Sequence, residues 1–311
     1  MKYLATCISG TQEIIGQRLN AFSSGELRIL ELQNGLVIFE STLTQNQLSE
    51  LRFFNNVYEL LADGAGEVSE LPVPHIDGTF TVRRSVQNQP THIDDLKEHV
   101  IAKSSATFTA HRPETEFLLL ERTDGRKLWG RLLPRAGFKQ RTIEQGELRP
   151  ELAHILGLVA GLDAKATVLD PFAGYGGIAR EMLHGFHVKE MLAVERNEHL
   201  IPHLKSIPRV TAMHGDARQL AHVHTRSIDR IVTDPPWGEF TNRPESEMRA
   251  LYGHSLAQMH RVLRAKGAVV MLTAAPFLPE VATASHFDVL KQYPILVNGR
   301  KATIYKLRKI G

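Results

Sequence analysis

Thr233-Asp234-Pro235-Pro236-Trp237-Gly238 sets an acid, two prolines and an indole side by side, and the chemistry of such a group can be read residue by residue. Pro235 and Pro236 remove two backbone N–H donors and stiffen the chain. The turn therefore presents acceptors, namely its carbonyl oxygens and the Asp234 carboxylate. A site of this kind takes an amine. The exocyclic NH2 of guanine, adenine or cytosine has its lone pair delocalised into the ring. Accepting both of its hydrogens favours pyramidalisation and aims the lone pair at a methyl donor. Trp237 adds a flat apolar surface for an unstacked base, a contact worth about 1 to 3 kcal/mol where bases lie on aromatic side chains. Pro-Pro after a strand is often only a rigid turn, and a tryptophan is often core; the acids upstream favour the chemical reading.

Those acids are Asp170, Glu195 and Asp216, and with Asp234 they are spaced 25, 21 and 18 residues apart. Each interval is about one strand-and-helix step, and each acid falls at or just past the end of an apolar run. In an open parallel sheet, ligands bind outside the carboxyl ends of the strands, near the point where strand order reverses. The four carboxylates should converge there. Held close together they repel one another unless a ligand rich in donors and positive charge joins them, which suits a cationic nucleoside. Asp170 leads into Pro171-Phe172-Ala173-Gly174-Tyr175-Gly176-Gly177, where glycines permit a tight turn and close backbone approach at a helix start. Gly174-x-Gly176-x-x-Ala179 also satisfies the dinucleotide fingerprint, with Glu195 near the position of a ribose-binding acid. A nicotinamide-dependent oxidoreductase is therefore an alternative. Asp170 weighs against it, because a carboxylate just before the loop would repel a pyrophosphate.

The elements that must position these residues follow βαβ grammar from Thr167 onward. Strands are expected at Thr167–Asp170, Met191–Glu195, Val210–Met213, Ile228–Thr233 and Ala268–Thr273, with helices at Ile178–His187 and Glu245–Lys266 among the connections. Phe287–Tyr293 and Lys301–Arg308 flank Asn298-Gly299, a tight-turn signal, so an antiparallel hairpin should close a seven-stranded, mostly parallel sheet. The fold class is α/β, Rossmann-like. The first half reads as α+β, with strand-like runs at Leu36–Phe39, Thr79–Arg83 and Phe117–Glu121 and helices at Thr44–Phe53 and Ile93–Ser105. The expected organisation is an N-terminal region over residues 1–136, a polar, basic linker over 137–150, and a catalytic domain over 151–311.

At 311 residues, 42% hydrophobic and 23% charged, the composition is that of a soluble globular protein with room for two cores. No apolar run approaches the roughly 20 residues of a membrane span, and a cytoplasmic location is expected. The single cysteine, Cys7, has no second cysteine in the sequence for a disulfide and reads as a buried strand residue. Residues 1–150 carry a net charge of −2 and residues 151–311 of +5. Locally, Arg126 to Arg149 has seven basic residues against Glu144 and Glu147. Within that stretch Arg131, Arg135, Lys139 and Arg141 are candidate phosphate contacts, a solvated face being the alternative. His184 with His187 and His222 with His224 invite a metal hypothesis, but the spacing and the lack of a cysteine cluster do not support it; no metal is expected.

Asp234-Pro235-Pro236-Trp237 resembles the motif of class I methyltransferases that act on exocyclic amines. Gly146-Glu147-Leu148-Arg149-Pro150-Glu151-Leu152-Ala153, followed by Asp170 to Gly177, is similar to the THUMP-associated RNA methyltransferases, a group that includes transfer-RNA guanine methylases. The likeness covers residues 137–311 and, more faintly, Met1 to Gly64, where Tyr3-Leu4-Ala5-Thr6-Cys7 resembles the opening of a ferredoxin-like segment. The resemblance implies S-adenosylmethionine as cofactor, transfer RNA as partner, guanine N2 as target and a monomer. It implies that Asp170, Phe172 and the loop through Gly174 and Gly176 hold the methionine end. Glu195 would hold the ribose, Asp216 with Ala217 the adenine, and Arg149 with Pro150 would border the cofactor. Asp234, Pro235, Pro236 and Trp237 would be catalytic. Two departures stand out: relatives usually have Tyr or Phe where this chain has Trp237, and Gly78 to Pro134 is short for a THUMP domain, so a reduced version is expected. A DNA adenine or cytosine methylase and a catalytically silent RNA-binding module remain as alternatives.

Overall fold

The structure, a computed structural model, describes residues 1–23, 25–86, 89–134, 143–144, 146–238 and 244–310. Contacts divide the chain into two compact units, Met1–Cys7 with Leu19–Gln140 and Ile8–Arg18 with Arg141–Gly311. The division is not a plain split at the expected linker, because an early segment belongs with the second unit. Within that unit the Leu296 N–H donates to the Ser9 carbonyl. Gly10, at φ +96°, lies so close that a Cβ there would be 2.0 Å from the Pro294 carbonyl oxygen. Only glycine fits that approach.

The first unit contains β1 (Lys2–Thr6), β2 (Leu27–Gln33), β3 (Leu36–Ser41), α2 (Gln45–Ser49) and β4 (Asn56–Gly64), with α1 (Gln12–Leu19) lying between β1 and β2 in sequence. It continues with β5 (Thr79–Val86), β6 (Gln89–Pro90), α3 (Asp94–Lys103), β7 (Thr107–Phe108), β8 (Thr115–Glu121) and β9 (Lys127–Leu132). One sheet joins these strands in the order β2-β3-β1-β4-β9-β8-β5-β6, with β7 also on β5. The first four strands follow βαββαβ order, the pattern of ferredoxin-like units. The βαβ step from β5 through α3 to β8 is parallel, and β9 pairs antiparallel with β4 to fuse both parts. Alternation along the strands sends Leu118 and Leu128 into one core with Leu4 and Ile38, and Phe117 and Trp129 into another with Leu96 and Val100. Helix α2 is shorter than expected. Thr44 caps it in a capping box with Gln47, but the chain turns after Ser49. Cys7 is buried just past β1.

The second unit holds α4 (Pro150–Ala160), β10 (Thr167–Asp170), α5 (Gly177–Gly185), β11 (Glu190–Glu195), α6 (Ile201–Lys205), β12 (Val210–His214), β13 (Ile228–Thr233), α7 (Glu245–Val262), β14 (Leu263–Thr273), α8 (Leu278–Ala284), β15 (Phe287–Val297) and β16 (Arg300–Lys309). The sheet order is β12-β11-β10-β13-β14-β16-β15. Pairs from β12 to β14 are parallel, and β16 runs antiparallel to both neighbours. This is the expected Rossmann-like sheet with its closing hairpin; Asn298 and Gly299 both have positive φ at the turn, as a type I′ connection requires. Buried Leu169, Ile231, Val269 and Met271 meet Leu256, Met259 and Val262 of α7 in the main core.

Helix α7 ends at Val262 rather than Lys266. Leu263 is fully buried and pairs with Ile228 as the first residue of β14. The N–H groups of Arg226 and Ser227 capture the Arg261 and Val262 carbonyls, so the helix has no continuation to gain. Among the described residues, no helix is long and apolar enough to cross a membrane, and no group of three or more His, Cys, Asp or Glu side chains is placed to hold a metal ion.

Candidate active site

Strand order reverses between β10 and β13: the chain steps outward from β10 through β11 to β12, then crosses to the other side of β10. Asp170 ends β10 and Asp234 follows β13 directly, so these two acids flank the switch point. Glu195 ends β11 and Asp216 lies two residues beyond β12. All four stand at one edge of the sheet, as their spacing implies.

Asp170 is 1% exposed. Its Oδ1 accepts from Thr233 Oγ1 at 2.8 Å and from the Phe172 N–H at 3.1 Å. Burial pushes its carboxyl up to about 7, and the charges of Asp234 and Glu195 push the same way against those two bonds. Glu195 shapes the glycine loop directly: Oε2 accepts from the Gly174 N–H at 2.8 Å and Oε1 from the Asn197 N–H at 2.7 Å. Each of these oxygens keeps a further lone pair for a ligand hydroxyl. Gly174 and Gly176 both have positive φ, and a Cβ at Gly176 would meet Ile207 at 2.5 Å. That loop therefore closes over α6 only with glycine. Gly177 opens α5 with Leu148 and Glu147 packed against it. The same segment continues into Arg149, the exposed cap of α4, and into Pro150 at its first turn. Phe172 packs on the main core and Ala217 is buried.

Asp216 is bound twice over by Arg218, whose side chain reaches both carboxylate oxygens while its N–H donates to Oδ1 at 2.8 Å. Arg218 holds the Asp216 carboxyl below the usual range, the Arg196 charge at 3.8 Å adding to the effect. An amino group arriving at Asp216 would share that carboxylate with the arginine.

The proline turn is braced from behind. Tyr252 of α7 is buried, and its hydroxyl lies 3.1 Å from the Pro236 carbonyl and 2.6 Å from Thr273 Oγ1. A carbonyl can only accept, so the tyrosine hydrogen goes to Pro236 and Thr273 must donate to Tyr252. Thr273 in turn accepts from the Ala275 N–H at 3.0 Å. A directional chain thus ties the end of β14 to the turn after β13. At the front, half-buried Trp237 donates its Nε1–H to Asp234 Oδ1 at 2.8 Å. Burial pushes the Asp234 carboxyl up to about 7, the indole bond acting in the opposite direction. Pro235 is buried and Pro236 exposed.

Residues 205–299 match the family described as RMKL-like, methyltransferase domain. That stretch lies within the C-terminal unit and contains Asp216 and the proline turn. A curated relative, tRNA (guanine(10)-N2)-dimethyltransferase of Methanothermobacter thermautotrophicus, is 30% identical over 154 residues, which are 48% of this chain and 45% of the relative. The chain thus spans about half the length of that protein. TrmN from Thermus thermophilus superposes with a TM-score of 0.79 at 20% identity over 100% of both chains. SMU.472, solved in complex with SAH, superposes with a TM-score of 0.73 at 12% identity, covering 100% of this chain and 98% of its own. These two likenesses extend the shared fold to the full chain.

Within the C-terminal unit the structure assembles Asp170, Glu195, Asp216 and Asp234 on one edge of the sheet, with the glycine loop after Asp170 and Trp237 after Asp234. It also adds residues that the motifs do not name: Thr233, Arg218, Thr273 and Tyr252. Thr273 was open to discovery, since it ends a strand of the parallel set. Tyr252 carried no such signal, being a helical aromatic that only the fold brings to the turn. Of the four basic residues read as phosphate contacts, Arg131 lies on β9 of the other unit. Arg135, Lys139 and Arg141 fall outside the described residues. Arg131 is paired with Glu59 at 2.6 Å, so much of its charge is answered within its own sheet.

Proposed function

We propose that the chain transfers a methyl group from S-adenosylmethionine to an exocyclic base amine in RNA, with guanine N2 of transfer RNA as the target. The observation that carries this reading is the placement of two poorly neutralised carboxylates at the switch point, Asp170 buried and Asp234 half-buried on a proline turn faced by an indole. The names of the matched relative and family support the same reaction class, and the relative's printed name supplies the guanine amine.

The residues present fit a cationic nucleoside. Asp170 and Asp234 are held in surroundings that resist their ionisation, so a positive charge nearby is favoured there. Glu195 and Asp216 offer acceptors to ribose hydroxyls and an adenine amine, while Gly174, Gly176 and the start of α5 leave the backbone open to approach. S-adenosylmethionine, when bound, supplies the methyl group. Asp234 and the free carbonyls of the turn accept the hydrogens of the base amine, which restores the nitrogen lone pair. Trp237 holds the base plane, and the Tyr252 chain keeps the acceptors in place. The alkylated amine is a much stronger acid than a carboxyl with a pKa of about 7, so its proton passes downhill to Asp234 Oδ2 or to water. The N-terminal unit would hold the RNA, the protein acting as a cytoplasmic monomer. Incubation with labelled S-adenosylmethionine and unmodified transfer RNA, followed by digestion and mass spectrometry of nucleosides, tests the reading. N2-methylated guanosine is expected; label on a ring carbon or a ribose would overturn the role of Asp234.

A further inference from the structure

Trp237 occupies the acceptor it is expected to serve. Its Nε1–H reaches back three residues across the proline turn to Asp234 Oδ1, and among the described residues no other hydrogen bond engages that side chain. The Pro236 carbonyl is likewise engaged, by Tyr252 from behind. Among the described residues no side chain engages Asp234 Oδ2 or the carbonyls of Asp234 and Pro235. We propose that Trp237 is a positioning residue as well as a stacking platform: its indole N–H clamps Asp234 Oδ1 and so leaves Oδ2 as the side-chain oxygen that receives the base amine. This rests on the reading of Asp234 as the amine acceptor.

The choice of side chain bears on the argument. Tyrosine and phenylalanine offer a ring face but no donor at the position of the indole nitrogen, whereas tryptophan combines face and donor in one rigid group. A hydrogen bond to a carboxylate favours its ionised, better-accepting form. The described groups around Asp234 provide little other help: Asp170 from β10 repels it, the Glu195 charge from β11 acts on Asp170 in the same sense, and Tyr252 from α7 is neutral and already engaged. Among the described residues no cationic side chain acts on Asp234. Among them the indole is therefore the main group working against burial at that carboxylate.

The chain has two tryptophans, which allows a test independent of turnover. Trp129 donates its Nε1–H to the Pro72 carbonyl at 2.7 Å in the N-terminal core, and serves as an internal control. Indole resonances of the full-length, 15N-labelled protein are followed from about pH 5 to 9. The Trp237 resonance, assigned by its loss in Trp237→Phe, should move with a midpoint near 7, the Asp234 value. It should cease to move in Asp234→Asn, while Trp129 stays fixed throughout. A Trp237 resonance that is static in the wild type overturns the clamp. Turnover gives the second readout. Trp237→Phe keeps a ring face but loses the donor, so the acid limb of kcat against pH should move up by about one unit. The rate then falls about tenfold on that limb and converges toward wild type at high pH. A loss of equal size at every pH would mean that stacking alone was removed, and would overturn the proposal. If the wild type methylates no RNA while its indole titrates as stated, the clamp stands and the functional reading falls.

Discussion

Among the described residues of the N-terminal sheet, the acids that lie on the strands themselves pair with arginines. Glu31 and Asp63 share Arg126, Glu59 takes Arg131, Glu121 and Asp95 share Arg84, and Glu116 takes Arg83. At the strand ends of the C-terminal sheet, Asp170 is buried and Asp234 half-buried, and their donors are a threonine, a backbone N–H and an indole. The contrast shows up in their acidity. Arg126 holds Asp63 below its ordinary range, whereas burial drives Asp170 and Asp234 up to about 7. Charges that a fold neutralises internally stabilise strands; charges left without a cation reserve a place for one.

The sharpest way to break this comparison is Asp234→Ala. If the acid is there for the base amine, kcat should fall by about 10²–10³ while S-adenosylmethionine still binds within about threefold, as calorimetry would record. Near-normal turnover in that variant would put Asp234 in the same class as the paired acids of the N-terminal sheet.

Binding of the cofactor itself sharpens the same contrast. A sulfonium beside Asp170 and Asp234 lowers both carboxyl values, so association releases protons and tightens as pH rises toward about 7. S-adenosylhomocysteine lacks the sulfonium charge. The preference for S-adenosylmethionine over it should therefore grow from about pH 5 to 7, by up to about tenfold per unit for each carboxyl involved, and level off above. Calorimetry in buffers of different ionisation heat measures both the ratio and the protons released. A ratio independent of pH would mean that the unpaired acids do not face the sulfur.

Much of this site could be read before the fold was known, and the reasons are local. Each strand of the parallel set is a short apolar run ending in an acid or at a turn, and the regular spacing of those runs survives folding. Asp170, Glu195, Asp216 and Asp234 needed only that grammar to be brought to one edge. The end of α7 was not legible, because Arg264 to Lys266 suit a helix and only the pairing of Leu263 with Ile228 pulls them into β14. Nor was the Thr273-Tyr252-Pro236 chain, which joins residues 16 and 21 positions apart through tertiary packing. The attachment of residues 8–18 to the second unit depends on a backbone contact at the edge of β15 that no side-chain pattern announces. Trp237 was legible as a ring but not as a donor, since the direction of its N–H depends on how the turn closes.

Unpaired acids should also register in stability. Asp170 has an ordinary value of 3.8 and a folded value of about 7. Between those limits the native state holds the proton more tightly than the unfolded chain, so unfolding free energy falls as pH rises from about 4 to 7 and levels off above. Asp170→Asn keeps an acceptor for Thr233 and removes the charge. Its Tm should exceed that of the wild type at pH 8, by no more than about 4 kcal/mol in stability, with the two converging near pH 4. A variant less stable than wild type at pH 8 would show that Asp170 is a structural acid after all.

The smallest expected effect comes from the other side of the comparison. Arg131 is 36% exposed at its side chain and Glu59 18%, so solvent screens the pair and Arg131→Ala should lower stability by only about 0–1 kcal/mol. Its bearing on RNA is the more informative readout. An arginine that neutralises a phosphate releases counterions, and its removal lowers the slope of log affinity against log salt by about one. Because Glu59 already answers the Arg131 charge, the slope for transfer RNA should stay unchanged within error. A drop of about one would mean that Arg131 leaves Glu59 for a phosphate when RNA binds, and the tidy pairing of the N-terminal sheet would then be a resting state that its partner dissolves.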